Sequence, residues 1–218
     1  AHYLGLDVQK SSTEHLYNVT VKLCKDMNSA RKKMPTDKNG IAVLSDKNRY
    51  ETGKSAMQAY KKLAEEYPIL KGSDIRNKPL WSSEFFSITL TTGIYIPYTF
   101  ESNINVAVPE YTIPATMCHE LTHARGFMRE DEANFIAFLV CAASDEAYIR
   151  YSGYLNLLEY VNNALARSDE EAFRAAWDAL APEVRGEIRA FNAFYQKYQS
   201  TVVKDVFEAV NDAYLKGN

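Results

Sequence analysis

Two histidines four residues apart with a glutamate between them, His119-Glu120-Leu121-Thr122-His123, carry the densest chemistry in this 218-residue chain. It has only four histidines, the others being His2 and His15. On a helix, residues i and i+4 share a face and lie about 6 Å apart along the axis. Two neutral imidazoles so placed can converge on one ion with Zn–N bonds of about 2.0–2.1 Å. Glu120, between them, can take a proton from an activated water without being a ligand. The spacing predicts a zinc centre for metal-assisted hydrolysis: two nitrogen donors, a carboxylate base and an open metal position. The plainer alternative is an amphipathic helix with two exposed histidines. Against it stands the nearly uncharged run Tyr111-Thr112-Ile113-Pro114-Ala115-Thr116-Met117-Cys118 ahead of the pentad, as a buried helix requires.

A catalytic zinc usually has three protein ligands and a water, so a third donor must follow. Gly126, three residues after His123, stands where metzincins place the glycine that turns the chain back toward the metal. Their third histidine comes three residues later, a position held here by Arg129, whose guanidinium offers no lone pair. Glu130 is the natural replacement. It opens Glu130-Asp131-Glu132-Ala133-Asn134, which resembles the ligand helix of the thermolysin-like and membrane-peptidase gluzincins. That resemblance implies Glu130 on zinc and Asn134, one turn later, orienting a ligating histidine. Asn stands where those families usually have Asp, so this partner is neutral. Glu132 is the competing ligand. The glutamate not used, like Asp131, has an ordinary place in a first helical turn, where the helix dipole favours acid.

Length and a 46% hydrophobic fraction suffice for one substantial core. With no glycine- or proline-rich linker and no repeat, a single domain over residues 1–218 is expected. No apolar run reaches bilayer-spanning length and there is no signal peptide; the abrupt start at Ala1 fits a chain trimmed of an upstream targeting or membrane segment. The net charge of −3 divides into +6 over residues 1–80 and −9 over the rest. A basic first third suits an anionic membrane surface, and equally an ordinary solvated face. There is no dense basic stripe and no nucleic-acid motif, so nucleic acid is not an expected partner. Cys24, Cys118 and Cys141 are too few, and odd in number, for a disulfide framework. Cys118 and Cys141 are expected in the core.

The elements that must position the pentad follow from periodicity and turn signals. Ser11-x-x-Glu14 looks like a capping box opening a helix to about Met34, with Leu16, Val19, Leu23 and Met27 on one face. A polar stretch from Pro35 to Asn48 leads to a second helix, Lys54 to Tyr67, with Met57, Tyr60 and Leu63/Ala64 inward. Glu84–Leu90, Gly93–Tyr98 and Asn103–Val108 read as strands. Everything from Ile113 reads as helix: the metal helix (about 114–125), the glutamate helix (about 129–144), and segments near 145–166, 169–180, 183–199 and 201–216. Their stripes include Ile136/Val140, Leu155/Leu158 and Val203/Phe207/Val210.

The expected fold class is α+β, mostly helical: a helical part over about 1–80, a small β-sheet over about 84–108 preceding the HExxH helix, then the metal-binding and C-terminal helices over about 113–217. This layout resembles that of a zincin-like metallopeptidase domain. In such designs a sheet edge above the metal binds extended substrate by strand addition. Asn103-Ile104-Asn105-Val106-Ala107-Val108 is the nominated edge, the alternative being an internal strand with Ile104, Val106 and Val108 in the core.

Three blocks carry a wider likeness: Thr92-Gly93-Ile94-Tyr95-Ile96-Pro97-Tyr98-Thr99-Phe100-Glu101-Ser102-Asn103-Ile104-Asn105, then Cys118 to Phe135, then Arg150-Tyr151-Ser152-Gly153-Tyr154-Leu155. They resemble the bacterial family named domain of unknown function 3810. The resemblance covers most of the chain, from the first helix to Asn211-Asp212-Ala213-Tyr214-Leu215-Lys216, and is most specific around the pentad. It implies a membrane-anchored hydrolase, with transmembrane helices ahead of a zinc-peptidase-like domain on the extracellular side of the cell membrane. It names no substrate. The family pattern usually continues past the last residue here, so a C-terminal tail belongs to the expectation.

In the expected mechanism, zinc on His119, His123 and Glu130 lowers the pKa of a water toward about 7. Glu120 takes its proton as it attacks a peptide carbonyl and passes the proton to the leaving amine. One further donor helps zinc stabilise the oxyanion, at about 3–4 kcal/mol of barrier if lost. Tyr148, Arg150, Tyr151 and Tyr154 are the candidates, Tyr151 and Arg150 first; the plainer account packs these tyrosines in the core with their hydroxyls at the rim. Glu101 and Asn103 either line the cleft or tie down a turn. The expected function is a zinc endopeptidase, a monomer acting on peptide or protein outside the cell. A zinc amidase on cell-wall peptide and a zinc-stabilised sensor or binding domain are the alternatives, and only the last survives Glu120→Gln.

Overall fold

α1 (Thr13–Arg31) starts at Ser12, whose hydroxyl oxygen accepts from the His15 backbone N–H at 3.1 Å. The cap is therefore one residue later than Ser11, and Glu14 takes no part in a box. The buried face turns with it, to Thr20, Leu23, Cys24, Met27 and Ala30, leaving Val19 exposed. The structure, a computed structural model, describes residues 4–6, 8–44 and 48–199. The helix expected near 201–216, with Val203, Phe207 and Val210, lies outside them. α2 (Arg49–Glu66) begins earlier than expected because the Asn48 side chain caps it, accepting from the Glu51 N–H. It buries Ala56, Met57, Tyr60, Leu63 and Ala64 and ends at a 3-10 turn opened by Pro68.

The small sheet has three strands, but not the three expected. β1 (Asn77–Pro79) was not anticipated: it is three residues long, has no alternating pattern and ends in proline, which an edge strand tolerates. Glu84–Leu90 is not a strand; α3 (Ser83–Ile88) occupies it. A short apolar run cannot be told from a helix by periodicity. Here the Phe86 N–H reaches the Ser82 carbonyl, the Ser87 hydroxyl bonds the Ser83 carbonyl, and Leu90 at φ 58° ends the turn. β2 (Gly93–Ile96) and β3 (Glu101–Ile104) pair antiparallel, Gly93 opposite Ile104, while β1 runs parallel to β3 with Asn77 opposite Ser102.

The strand order is β1-β3-β2. The nominated edge is thus corrected: Asn103 and Ile104 sit in the central strand, bonded on both sides. Asn105–Val108 leaves the sheet, held by Ser83, Ser87 and Thr91. Ile104 and Val108 are buried, as the internal reading had it. Among the described residues, the free edge beside the pentad is β2.

α4 (Ile113–His123), α5 (Glu130–Ala143), α6 (Ala147–Ser168), α7 (Glu170–Asp178) and α8 (Pro182–Gln199) follow the expected segments within a few residues. The molecule is α+β and mostly helical, with one buried cluster running from α1 through α4, α5 and α6 to α8. A polar tie crosses this core. Glu187 on α8 is fully buried and accepts from Arg31 Nε on α1 (2.7 Å), the Ala42 N–H (2.7 Å) and the Tyr151 hydroxyl on α6. Its own carbonyl accepts from the Tyr111 hydroxyl at 2.8 Å. A buried carboxylate must be paired in this way, and the pairing fixes how α6 is rotated against α1 and α8.

Candidate metal centre

α4 is pinned at both ends. At its start the Ala115 N–H donates to the Ser152 hydroxyl on α6 at 2.9 Å. At its end the Tyr60 hydroxyl donates to Thr122 (3.1 Å), and the Arg125 guanidinium lies 3.8 Å above the Tyr60 ring while capping the Leu121 carbonyl. Ile113, Met117, Cys118 and Leu121 are buried on the core side. That fixes the helix so that His119, Glu120 and His123 face β2.

Gly126 then reverses the chain at φ 92°, a left-handed conformation that favours glycine. The reversal brings the Phe127 carbonyl to 2.8 Å from His123 Nδ1. A carbonyl only accepts, so Nδ1 carries the proton and Nε2 presents its lone pair. Arg129, in extended backbone, leads into α5, and Glu130 is that helix's first residue.

The lone pairs converge. His119 Nε2 and His123 Nε2 are 2.9 Å apart, and the Glu130 carboxylate oxygens lie 3.2 Å from the first and 3.4 Å from the second. Among the described residues, these three form the one group of histidine, cysteine or acidic side chains close enough to hold an ion. Bonds of the zinc–nitrogen length in a tetrahedron put donors about 3.3 Å apart, so the set fits zinc. Two imidazoles and a carboxylate are also a chemically suitable donor set for that ion. A second observation agrees: Glu120 Oε2 is buried with no hydrogen-bond partner. Burial, and after it the charge of Glu130, pushes the Glu120 carboxyl up to about 8. Burial and then His123 push the His119 imidazole down, against Glu130 and Asn134. A cation at the centre would oppose the rise at Glu120 and add to the downward push at His119, whose neutral ring is the form that ligates a metal.

Across from the pentad lies the β2 segment. A cleft of about 370 Å³ runs between Leu90–Tyr95 on one side and His119, Glu120, His123, Met128 and Glu130 on the other. Gly93 is its closest point: a Cβ there would stand 2.5 Å from Glu120 Oε1 and 2.8 Å from Thr116 Cγ2. A glycine inside a strand is a sequence signal for such close approach, and it went unused. Tyr160 is the other residue not anticipated; its hydroxyl accepts from Asn134 Nδ2 at 2.9 Å. No local pattern marks it.

Of the remaining candidates, Asn134 lies near the His119 ring, whose pKa it pushes up, while its Nδ2 donates to the Tyr160 hydroxyl. Asn134→Ala should weaken zinc binding about 10- to 100-fold, measured by competition with a chromogenic chelator. Glu132 is outside the ligand group. The structure does not bring Tyr151 and Arg150 to the centre. Tyr151 is fully buried with its hydroxyl on Glu187, and Arg150 Nη1 donates to the Ser144 carbonyl at 2.5 Å. Tyr148 is buried and Tyr154 packs on Phe138. Tyr151→Phe should therefore cost about 1–3 kcal/mol of stability in a denaturant melt and leave zinc affinity unchanged. Glu101 and Asn103 tie the sheet: Lys78 pairs with Glu101, and Asn103 Nδ2 donates to the Glu101 carbonyl at 3.4 Å.

Fold and centre together define a mostly helical α+β protein with a histidine–carboxylate cluster beneath a sheet edge. The family model described as "Protein of unknown function (DUF3810)" matches residues 1–218, and the chain belongs to that family. No curated protein and no solved structure matches it. No described helix is long and apolar enough to cross a membrane.

Proposed function

We propose that the protein is a zinc-dependent endopeptidase with a zincin-like domain of gluzincin type. The observation that carries the reading is a buried carboxylate oxygen, Glu120 Oε2, that has no partner among the described residues, next to three converging ligand atoms and facing a strand edge unpaired among them. His119 and His123 would hold zinc through Nε2 and Glu130 through its carboxylate. Bound there, zinc supplies a Lewis acid that acidifies a water and polarises a carbonyl.

The chain's own residues do the rest. Glu120 receives the water's proton at its carboxylate and returns it to the leaving amine nitrogen. The Phe127 carbonyl holds the His123 imidazole in orientation, and Asn134, near the His119 ring, would do the same for that one. β2, bonded on one side only among the described residues, offers its outer N–H and C=O groups to an extended substrate backbone. Gly93 lets that strand run directly against Glu120, which keeps bulk water from the base. Attachment to the cell membrane through a segment outside this chain, with this domain on the extracellular side, belongs to the same reading. The excess positive charge over residues 1–80 is compatible with it.

The test is incubation of the zinc-loaded chain with a mixed peptide library and with cell-wall muropeptides, new termini being read by mass spectrometry. Cleavage of library peptides, lost with chelator and restored by zinc, supports the reading. Cleavage of muropeptides alone makes the protein an amidase. Bound zinc without any cleavage leaves a binding domain.

A further inference from the structure

A larger cavity, of about 500 Å³, adjoins the cleft at the other half of α4. Thr92 lines both spaces, and Thr116 lines the larger one. Thr116 stands one helical turn, about 5.4 Å, before Glu120, which is one or two residues of extended peptide at about 3.3 Å each. A chain lying along β2 with a bond at Glu120 therefore has a neighbouring side chain at the mouth of this cavity.

Its lining is graded. Ala115 and Leu158 form a buried floor, with the half-buried rings of Phe173, Trp177 and Phe191 as walls. The exposed carboxamides of Asn156, Asn163 and Asn192 stand at the mouth. They offer donors and acceptors suited to a peptide backbone. Among the described residues, lysine, arginine and histidine are absent from the lining and Glu159 is its one acidic residue, so an acidic group gains nothing from them. The size is that of a ligand site, and the polar Ser152 at its edge already accepts from the Ala115 N–H.

Resting on the peptidase reading above, we infer that this cavity is a recognition pocket for a large apolar or aromatic side chain of a peptide, next to the bond presented to Glu120. The floor contributes burial, the carboxamides hold the adjoining backbone, and the shared Thr92 wall sets the distance to the base.

Trp177 is a built-in reporter. The chain has two tryptophans, and the other, Trp81, is fully exposed. The full chain carrying Trp81→Phe and Glu120→Gln, which slows turnover about 10²- to 10⁴-fold, is titrated with blocked tetrapeptides Ala-Ala-X-Ala, where X is Phe, Leu, Ala or Asp. A saturable change in Trp177 emission is expected with Phe and Leu, at least about tenfold tighter than with Ala or Asp. Adding Asn156→Phe, at an exposed position, should narrow the mouth and weaken the Phe peptide about tenfold. Equal responses to all four peptides, a silent Trp177, or a response to a chitin trisaccharide in place of the peptides overturns the inference. Cleavage by the Glu120-containing chain is followed in parallel. Cleavage indifferent to X with a silent Trp177 removes the pocket and leaves the peptidase; selective binding of the Phe peptide without cleavage keeps the pocket and removes the peptidase.

Discussion

Glu120→Gln is expected to lower the rate of peptide hydrolysis about 10²- to 10⁴-fold, the range for loss of a general base, with zinc content and thermal midpoint close to wild type. The substitution keeps shape and removes the proton acceptor. Glu120 is 4% exposed, and its Oε2 has no hydrogen-bond partner to lose. The ligand atoms belong to other side chains, so metal binding should survive. Steady-state kinetics beside elemental analysis separates the two effects. A variant that keeps both its zinc and its rate would remove Glu120 from the mechanism. One that loses zinc would mean the carboxylate holds the ion rather than the proton.

Gly93→Ala should lower kcat about 100-fold while zinc stays bound. The new methyl would stand 2.5 Å from Glu120 Oε1 and 2.8 Å from both Glu120 Cγ and Thr116 Cγ2. Something must move. Either Glu120 swings away from the centre or β2 lifts from α4, and a displacement near 1 Å at reacting groups costs about 100-fold. Overpacking of this kind also destabilises by about 1–3 kcal/mol, so the melt should drop without loss of folding. None of the three ligands faces this methyl among its nearest atoms, which predicts unchanged zinc stoichiometry. Full activity in Gly93→Ala would show that β2 does not press on the base.

What could be read from the chain was whatever depends on neighbours a few residues away. The pentad, the Gly126 reversal, Glu130 and Asn134 all lie within 16 consecutive residues, and helix geometry alone relates them. Glu130 and Glu132 could be separated only once Arg129 was seen in extended backbone, which sets where α5 begins. The placing of Tyr151 and Arg150 away from the centre is hidden in the sequence for the opposite reason. Which way a tyrosine on α6 points is set by the rotation of that helix, and that is fixed by Glu187 and Arg31, far away in the chain. The same holds for the sheet. β1 has no pattern of its own, and without it the central strand passes for an edge. Gly93 was visible as a glycine in a strand, but its neighbour Glu120 comes from another element.

The most direct test of the central claim is the zinc content of the full chain, purified without added metal and again after reconstitution, beside His123→Ala, Glu130→Ala and Glu132→Ala. The expected result is one equivalent in the wild type and in Glu132→Ala, with losses in His123→Ala and Glu130→Ala larger than the roughly 10- to 100-fold that a hydrogen-bonding partner of a ligand causes. A wild type that takes up no zinc, or a Glu130→Ala variant that binds it as tightly as the wild type, would contradict the account.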